Sequence, residues 1–197
     1  HLSLRRQRQM CIRDRYKVDL IGGDTTSSNS GLVMSITAVG IETDENIVKR
    51  SGAKPNDLLV VTGDLGGAYM GLQVLEREHA VYLADPNMQP EMEGYDYILE
   101  RQLKPEARTD VKTILQELDI RPTSMIDISD GLASEILHLS DQSKVGFRLY
   151  EEKIPLDSLT ISTADEMNLN PVMTALSGGE DYELLFTISP VSYTHLR

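Results

Sequence analysis

The stretch Ser124-Met-Ile-Asp-Ile-Ser-Asp-Gly-Leu-Ala-Ser-Glu-Ile-Leu-His-Leu139 does most to limit what this chain can fold into. Apolar and polar residues alternate up to Ser129, as in a half-buried strand, and Leu132, Ile136 and Leu139 then recur at helical spacing. Asp130-Gly131 supplies the turn between the two patterns. Strand, turn and helix in that order gather Asp127, Ser129 and Asp130 at the carboxyl end of the strand, beside the positive end of the helix. Two carboxylates and a hydroxyl are hard oxygen ligands of the kind Mg²⁺ takes, and exposed helix N–H groups suit phosphate oxygens. A plainer role also fits, in which Ser129 or Asp130 caps the helix and Asp127 is an ordinary strand residue.

Two further clusters of glycine and acid bear on that choice. Lys17 to Ile21 reads as a strand that stops at Gly22-Gly-Asp-Thr-Thr26, where Asp24 and two hydroxyls follow a tight turn. The alternative there is a Gly-Gly turn with an Asx-type hydrogen bond from Asp24. Leu32 to Glu42 reads as a long strand, largely apolar on both faces and so expected to be well buried. Lys49 to Asn56 is a loop and a candidate domain boundary. Asp57 to Thr62 is a strand that runs into Gly63-Asp-Leu-Gly-Gly67 and a helix with Ala68, Leu72 and Leu75 on one face. The glycine spacing is not that of the dinucleotide fingerprint, and the chain has no GxxxxGK[ST] loop, so this turn reads as close strand–helix packing.

Helices are expected over Tyr95 to Gln102 and Arg108 to Leu118, with Arg108 a solvated helix start in preference to a phosphate contact, and in part over Asp157 to Asn170 ahead of Pro171. Val145 to Tyr150 alternates like a strand. The third cluster, Ser177-Gly-Gly-Glu-Asp-Tyr-Glu183, leads into a strand with Leu184, Phe186 and Ile188 on one face. Glu180 or Asp181 at the mouth of that strand either reaches a ligand or serves the turn.

Charge narrows the partners. Asp and Glu number 31 against 19 Lys and Arg, a net −12, which argues against nucleic acid held on a broad basic surface. An acidic protein handling phosphates needs bridging cations instead. The single cysteine, Cys11, forms no internal disulfide and points to a reducing, cytoplasmic setting, and no apolar run approaches a membrane span. Residues 1–15 carry five arginines against one aspartate and differ in character from the rest of the chain; with residues 191–197 they are expected to be non-native flanks.

Taken together, Leu20-Ile-Gly-Gly-Asp-Thr-Thr26, Ile126-Asp-Ile-Ser-Asp-Gly-Leu132 and Ser177-Gly-Gly-Glu-Asp-Tyr-Glu-Leu184, with Arg50-Ser-Gly-Ala-Lys-Pro-Asn-Asp57 between the first two, resemble the thiamine-monophosphate kinases. These belong to the superfamily that includes aminoimidazole ribonucleotide synthetase. The resemblance spans about Tyr16 to Pro190 and implies an α/β (α+β) two-domain fold: residues 16–50 as the end of an N-terminal ATP- and metal-binding domain, residues 51–190 as most of a C-terminal domain. It further implies transfer of the terminal phosphate of ATP to thiamine monophosphate, assisted by several Mg²⁺ ions and without a phosphoenzyme, in a homodimer. Carried over by position, Asp24, Asp127 and Asp130 are metal ligands, Gly23, Asp24, Arg50 and Ser129 contact ATP, and Glu180 meets the thiamine end of the substrate. The family's paired-aspartate motif, expected ahead of Tyr16, and its closing segment after Pro190 are absent. Selenophosphate synthetase, the hydrogenase-maturation dehydratase and a non-catalytic metal-binding module are the alternatives.

Overall fold

The computed structural model describes residues 14–29 and 31–195. Cys11, most of the arginine-rich leader and the last two residues of the tail lie outside them. The chain divides into two units, one up to Asn46 and one from Ile47.

The first unit has no β-strand among its described residues, contrary to the expectation for Lys17 to Ile21 and Leu32 to Glu42. Ile36 is 90% and Ile41 fully exposed, and Leu20, Ile21, Leu32, Val33, Met34 and Val39 are exposed as well. A run that is apolar on both faces becomes a buried strand only when neighbouring strands pair its backbone and other layers cover it. Nothing among the described residues of this unit supplies either.

In the second unit, three aliphatic runs form strands: β1 (Leu58–Val61), β2 (Ser124–Asp127) and β3 (Leu184–Ile188). They make one antiparallel sheet in the order β1-β3-β2, with Val61 opposite Leu185 and Asp127 opposite Leu184. The alternation expected of these segments is what divides the core. Leu59, Val61, Ile126 and Leu185 face one layer, where they meet Leu65, Leu132, Leu139 and Ala175. Val60, Met125, Phe186 and Ile188 face the other, against Val111, Leu115 and Ile120. The α/β character expected of the chain is thus realised as helices on an antiparallel sheet.

Six α-helices supply the covering: α1 (Gly67–Ala84), α2 (Asp96–Leu103), α3 (Thr109–Glu117), α4 (Leu132–Ser143), α5 (Ser158–Glu166) and α6 (Pro171–Ser177). Helix α1 buries Gly67, Ala68, Met70, Gly71, Val74 and Glu78. Of the face read from the sequence, Ala68 is buried while Leu72 and Leu75 are only half-buried, because α2 and α5 approach from the Met70 and Val74 side, where Ile98 and Ala164 complete a third cluster. A Cβ on Gly71 would run into the Ile98 carbonyl, so the crossing of α1 and α2 depends on that glycine. Asp157 caps α5 by accepting from the Leu159 N–H at 2.7 Å. Asn170 caps α6 through the Val172 and Met173 N–H groups, with Pro171 as its first residue. Val145 to Tyr150 is irregular rather than a strand; no sheet edge pairs with it, and Phe147 alone packs on the core. Among the described residues no helix is long and apolar enough to cross a membrane.

Candidate functional site

Asp127 ends β2 with its side chain exposed, and the chain beyond it stays zipped to the segment that enters β3. Ile128 N–H donates to the Glu183 carbonyl, Tyr182 N–H to the Ile128 carbonyl, and Glu180 N–H to the Ser129 carbonyl, each at 2.8 Å. Gly179 makes this approach possible: its φ is +70°, and a Cβ there would sit 2.5 Å from the Ser129 carbonyl oxygen. The second and third clusters of the sequence are therefore one structure, with Asp127, Ser129, Asp130 and Glu180 at a single end of the sheet.

The capping role that competed for Ser129 and Asp130 does not occur. Gly131 is the residue before α4, and no side chain caps the helix from there. Instead the buried Glu135 reaches back, its Oε1 accepting from the Asp130 N–H at 3.0 Å. This leaves the Asp127 and Asp130 carboxylates and the Ser129 hydroxyl without a hydrogen-bond or ion-pair partner among the described residues. Among those residues no group of three or more His, Cys, Asp or Glu is close enough to hold a metal ion. Two unpartnered carboxylates and a hydroxyl still suit Mg²⁺, which takes one or two protein carboxylates and fills its octahedron with water and phosphate oxygens.

The third cluster alternates between outside and inside. Asp181 and Glu183 are each 2% exposed. The Asp181 carboxylate accepts from the Gly66 N–H at 2.8 Å and the Ala68 N–H at 3.3 Å, so it occupies the amino end of α1. Burial pushes its pKa up to about 6, against the opposing pull of those N–H groups and of Arg101 at 3.6 Å. Glu183 accepts from the Thr62 hydroxyl, from Arg101 at 2.8 Å and from Arg108. Burial by itself would lower the Arg101 guanidinium; Glu183 and Asp181 hold it above its ordinary value. Arg108 is thus not the solvated helix start read from the sequence. It is half-buried between Glu183 and Asp110, which also raise its pKa.

The outward pair is Glu180 and Tyr182. Both have left-handed backbones, with φ of 62° and 51°, a conformation that costs a non-glycine residue about 1–2 kcal/mol. The Tyr182 hydroxyl donates to Glu180 Oε2 at 2.8 Å. That hydrogen bond, burial, and the charges of Glu180, Asp127 and Asp130 hold the phenol above its ordinary pKa, so the four groups share one electrostatic neighbourhood. Sequence reasoning offered Asp181 as a ligand acid or a turn acid; its carboxylate instead holds the amino end of α1. Glu183 and Arg101 gave no signal, because their partners are distant in the chain.

The other expected site residues belong to other segments of the chain. Gly23 and Asp24 belong to the first unit, where Asp24 Oδ1 accepts from the Thr25 N–H at 2.8 Å and nothing stands within 4 Å of a Cβ built on Gly23. Arg50 is exposed in the second unit, its guanidinium unpaired among the described residues. Its loop runs along β2, with the Lys49 carbonyl accepting from the Met125 N–H at 2.9 Å.

Comparison with known proteins adds names to this geometry. The chain is 35% identical over 182 residues to the thiamine-monophosphate kinase of Bacillus subtilis, covering 92% of this chain and 52% of that protein. It is 38% identical over 176 residues to the enzyme of Escherichia coli K12, covering 88% and 49% respectively. The chain thus spans about half the length of the curated relatives it matches. Among solved structures, AaThiL complexed with AMPPCP and TMP superposes with a TM-score of 0.62 at 32% identity, over 75% of this chain and 44% of that one. A family model described as AIR synthase related protein, C-terminal domain, matches residues 54–190, a span that holds the whole sheet, all six helices and the Asp127–Glu180 cluster. The chain belongs to the AIR synthase related family, whose C-terminal domain it carries.

Proposed function

We propose that this chain is part of a thiamine-monophosphate kinase, which transfers the terminal phosphate of ATP to thiamine monophosphate and yields thiamine diphosphate and ADP. The observation that carries the reading is the zipping of Ser129 to Glu180, which sets the acids of two separate motifs at one end of the sheet, with the Asp127 and Asp130 carboxylates unspent. The names of the relatives, and the AMPPCP and TMP bound by one of them, support it. Asp24, Asp127 and Asp130 would hold Mg²⁺, which when bound neutralises charge on the phosphates and aligns them. Gly23, Asp24, Arg50 and Ser129 contact ATP, and Glu180 receives the thiamine end of the acceptor.

The reaction needs little covalent help from the protein. A phosphate oxygen of thiamine monophosphate attacks the terminal phosphorus of ATP, and the bond from that phosphorus to the bridging oxygen breaks to release ADP. The attacking phosphate is already ionised near neutral pH, so no general base is required; positioning and charge neutralisation carry the rate. The working protein is a cytoplasmic homodimer of two-domain subunits, to which residues 16–50 and 51–190 contribute parts of the first and second domains.

The test is to express the full reading frame that contains this chain and follow thiamine diphosphate and ADP with ATP, Mg²⁺ and thiamine monophosphate. Turnover that requires thiamine monophosphate and is absent with free thiamine is the expected result. Equal turnover of free thiamine, or none of either, refutes the assignment.

A further inference from the structure

Of the four residues Glu180 to Glu183, two are pinned inside and two face out. Asp181 holds two N–H groups at the start of α1, and Glu183 holds Thr62, Arg101 and Arg108. Backbone bonds from Glu180 and Tyr182 to Ser129 and Ile128 fix the same segment from its other side. Chain held this firmly leaves Tyr182 only the outer face, and it reaches that face in a left-handed conformation that tyrosine seldom adopts. The residue is 38% exposed, yet its hydroxyl is turned to Glu180 Oε2. An exposed glutamate otherwise samples many rotamers; a phenol donor selects one, through a charge-assisted bond.

We propose that Tyr182 is a positioning residue of the substrate site, which by donating to Glu180 Oε2 presents Oε1 to the cationic heteroaromatic end of the phosphate acceptor. This role rests on the reading of the chain as part of a thiamine-monophosphate kinase. It differs from a plain surface contact in one respect: its effect must pass through Glu180.

The experiment is a double-mutant cycle in the full reading frame, with Tyr182→Phe, Glu180→Gln and the pair. Phenylalanine keeps the ring and removes only the hydroxyl. Tyr182→Phe is expected to raise KM for thiamine monophosphate about 5- to 10-fold, the range of one modest hydrogen bond, with kcat and KM for ATP within about twofold of the parent. In the Glu180→Gln background the same change should add less than about twofold, since the carboxylate charge that the hydroxyl orients is already gone. An unchanged KM in Tyr182→Phe, or the same factor in both backgrounds, overturns the proposal.

NMR titration of ring-labelled tyrosine in the parent and in Glu180→Gln gives a readout independent of turnover and of whether Tyr182→Phe folds. The Tyr182 phenol is expected to titrate lower once Glu180 is neutral, and no change overturns the contact itself. A parent that leaves thiamine monophosphate untouched while this coupling persists refutes the reaction, and with it the substrate role.

Discussion

Asp181 sets two electrostatic effects against each other, and their balance can be measured as a dependence of stability on pH. The N–H groups of Gly66 and Ala68 and the Arg101 guanidinium favour the carboxylate; removal from water favours the neutral acid. Burial wins, with the pKa rising from 3.8 to about 6. A group whose pKa is higher folded than unfolded stabilises the fold most below its unfolded value, and that stabilisation is lost as pH rises through the folded value. At about 1.4 kcal/mol for each tenfold change in proton affinity, the loss approaches about 3 kcal/mol at neutral pH. About 2–3 kcal/mol of it falls between pH 4 and 7.5. Asp181→Asn imitates the neutral acid and cannot ionise, so the parent should lose that amount relative to the variant across this window. Urea unfolding of both proteins at pH 4, 5, 6 and 7.5 measures it, and taking the difference cancels carboxylates with the opposite slope, such as Asp110, whose pKa Arg108 lowers. A difference that is flat, or that grows in the parent's favour as pH rises, would show that the helix terminus and Arg101 outweigh burial.

Asp130→Asn in the full reading frame should cut turnover at least ~10²-fold, since a metal clamp on a transferring phosphate is worth several kcal/mol. Its melting temperature should barely move, because the carboxylate has no partner to lose; near-normal activity with a large drop in melting temperature would make Asp130 structural. Glu183→Gln strips the charge shared by Arg101 and Arg108 and should destabilise the fold by about 3–5 kcal/mol in urea titrations, as breaking buried ion pairs does; a loss under about 1 kcal/mol would mean that water already screens the cluster. Gly71→Ala forces α1 away from the Ile98 carbonyl and should cost about 1–3 kcal/mol, and an unchanged unfolding midpoint would refute the close crossing.

How far the sequence could be read depended on the range of the interactions concerned. The turn from β2 to α4 was legible because period 2 changes to period 3.6 within a few residues of Asp130-Gly131, and both patterns are local. The face of β3 carrying Phe186 and Ile188 was legible for the same reason. The strands expected over Lys17 to Ile21 and Leu32 to Glu42 were not realised, because apolar content describes a capacity to be buried, and the described residues of that unit bring nothing to bury it. The stripe on α1 was misread since Leu72 and Leu75 are better hydrophobes than Gly71, and only the position of α2 reveals that the small residue faces the contact. The cluster of Thr62, Arg101, Arg108 and Glu183 was invisible, since it joins four segments whose residues are ordinary where they stand. The hydrogen-bond ladder from Ser129 and Ile128 to Glu180, Tyr182 and Glu183 is a tertiary fact that no local pattern carries.

The strand order has a consequence for biosynthesis. The middle strand of the sheet is the last of the three to be translated, and β1 and β2 make no bonds to each other. Leu58 pairs with Ile188, so β1 leaves the ribosome long before its neighbour exists. At roughly 5–20 residues per second, the wait is on the order of ten seconds, during which the apolar faces of two unpaired strands are open to chaperones or to other nascent chains. The segment that enters β3 is the one that zips onto Ser129. The acids of the site should therefore come together in the same step that closes the sheet, and a nascent chain halted before Leu184 should have neither.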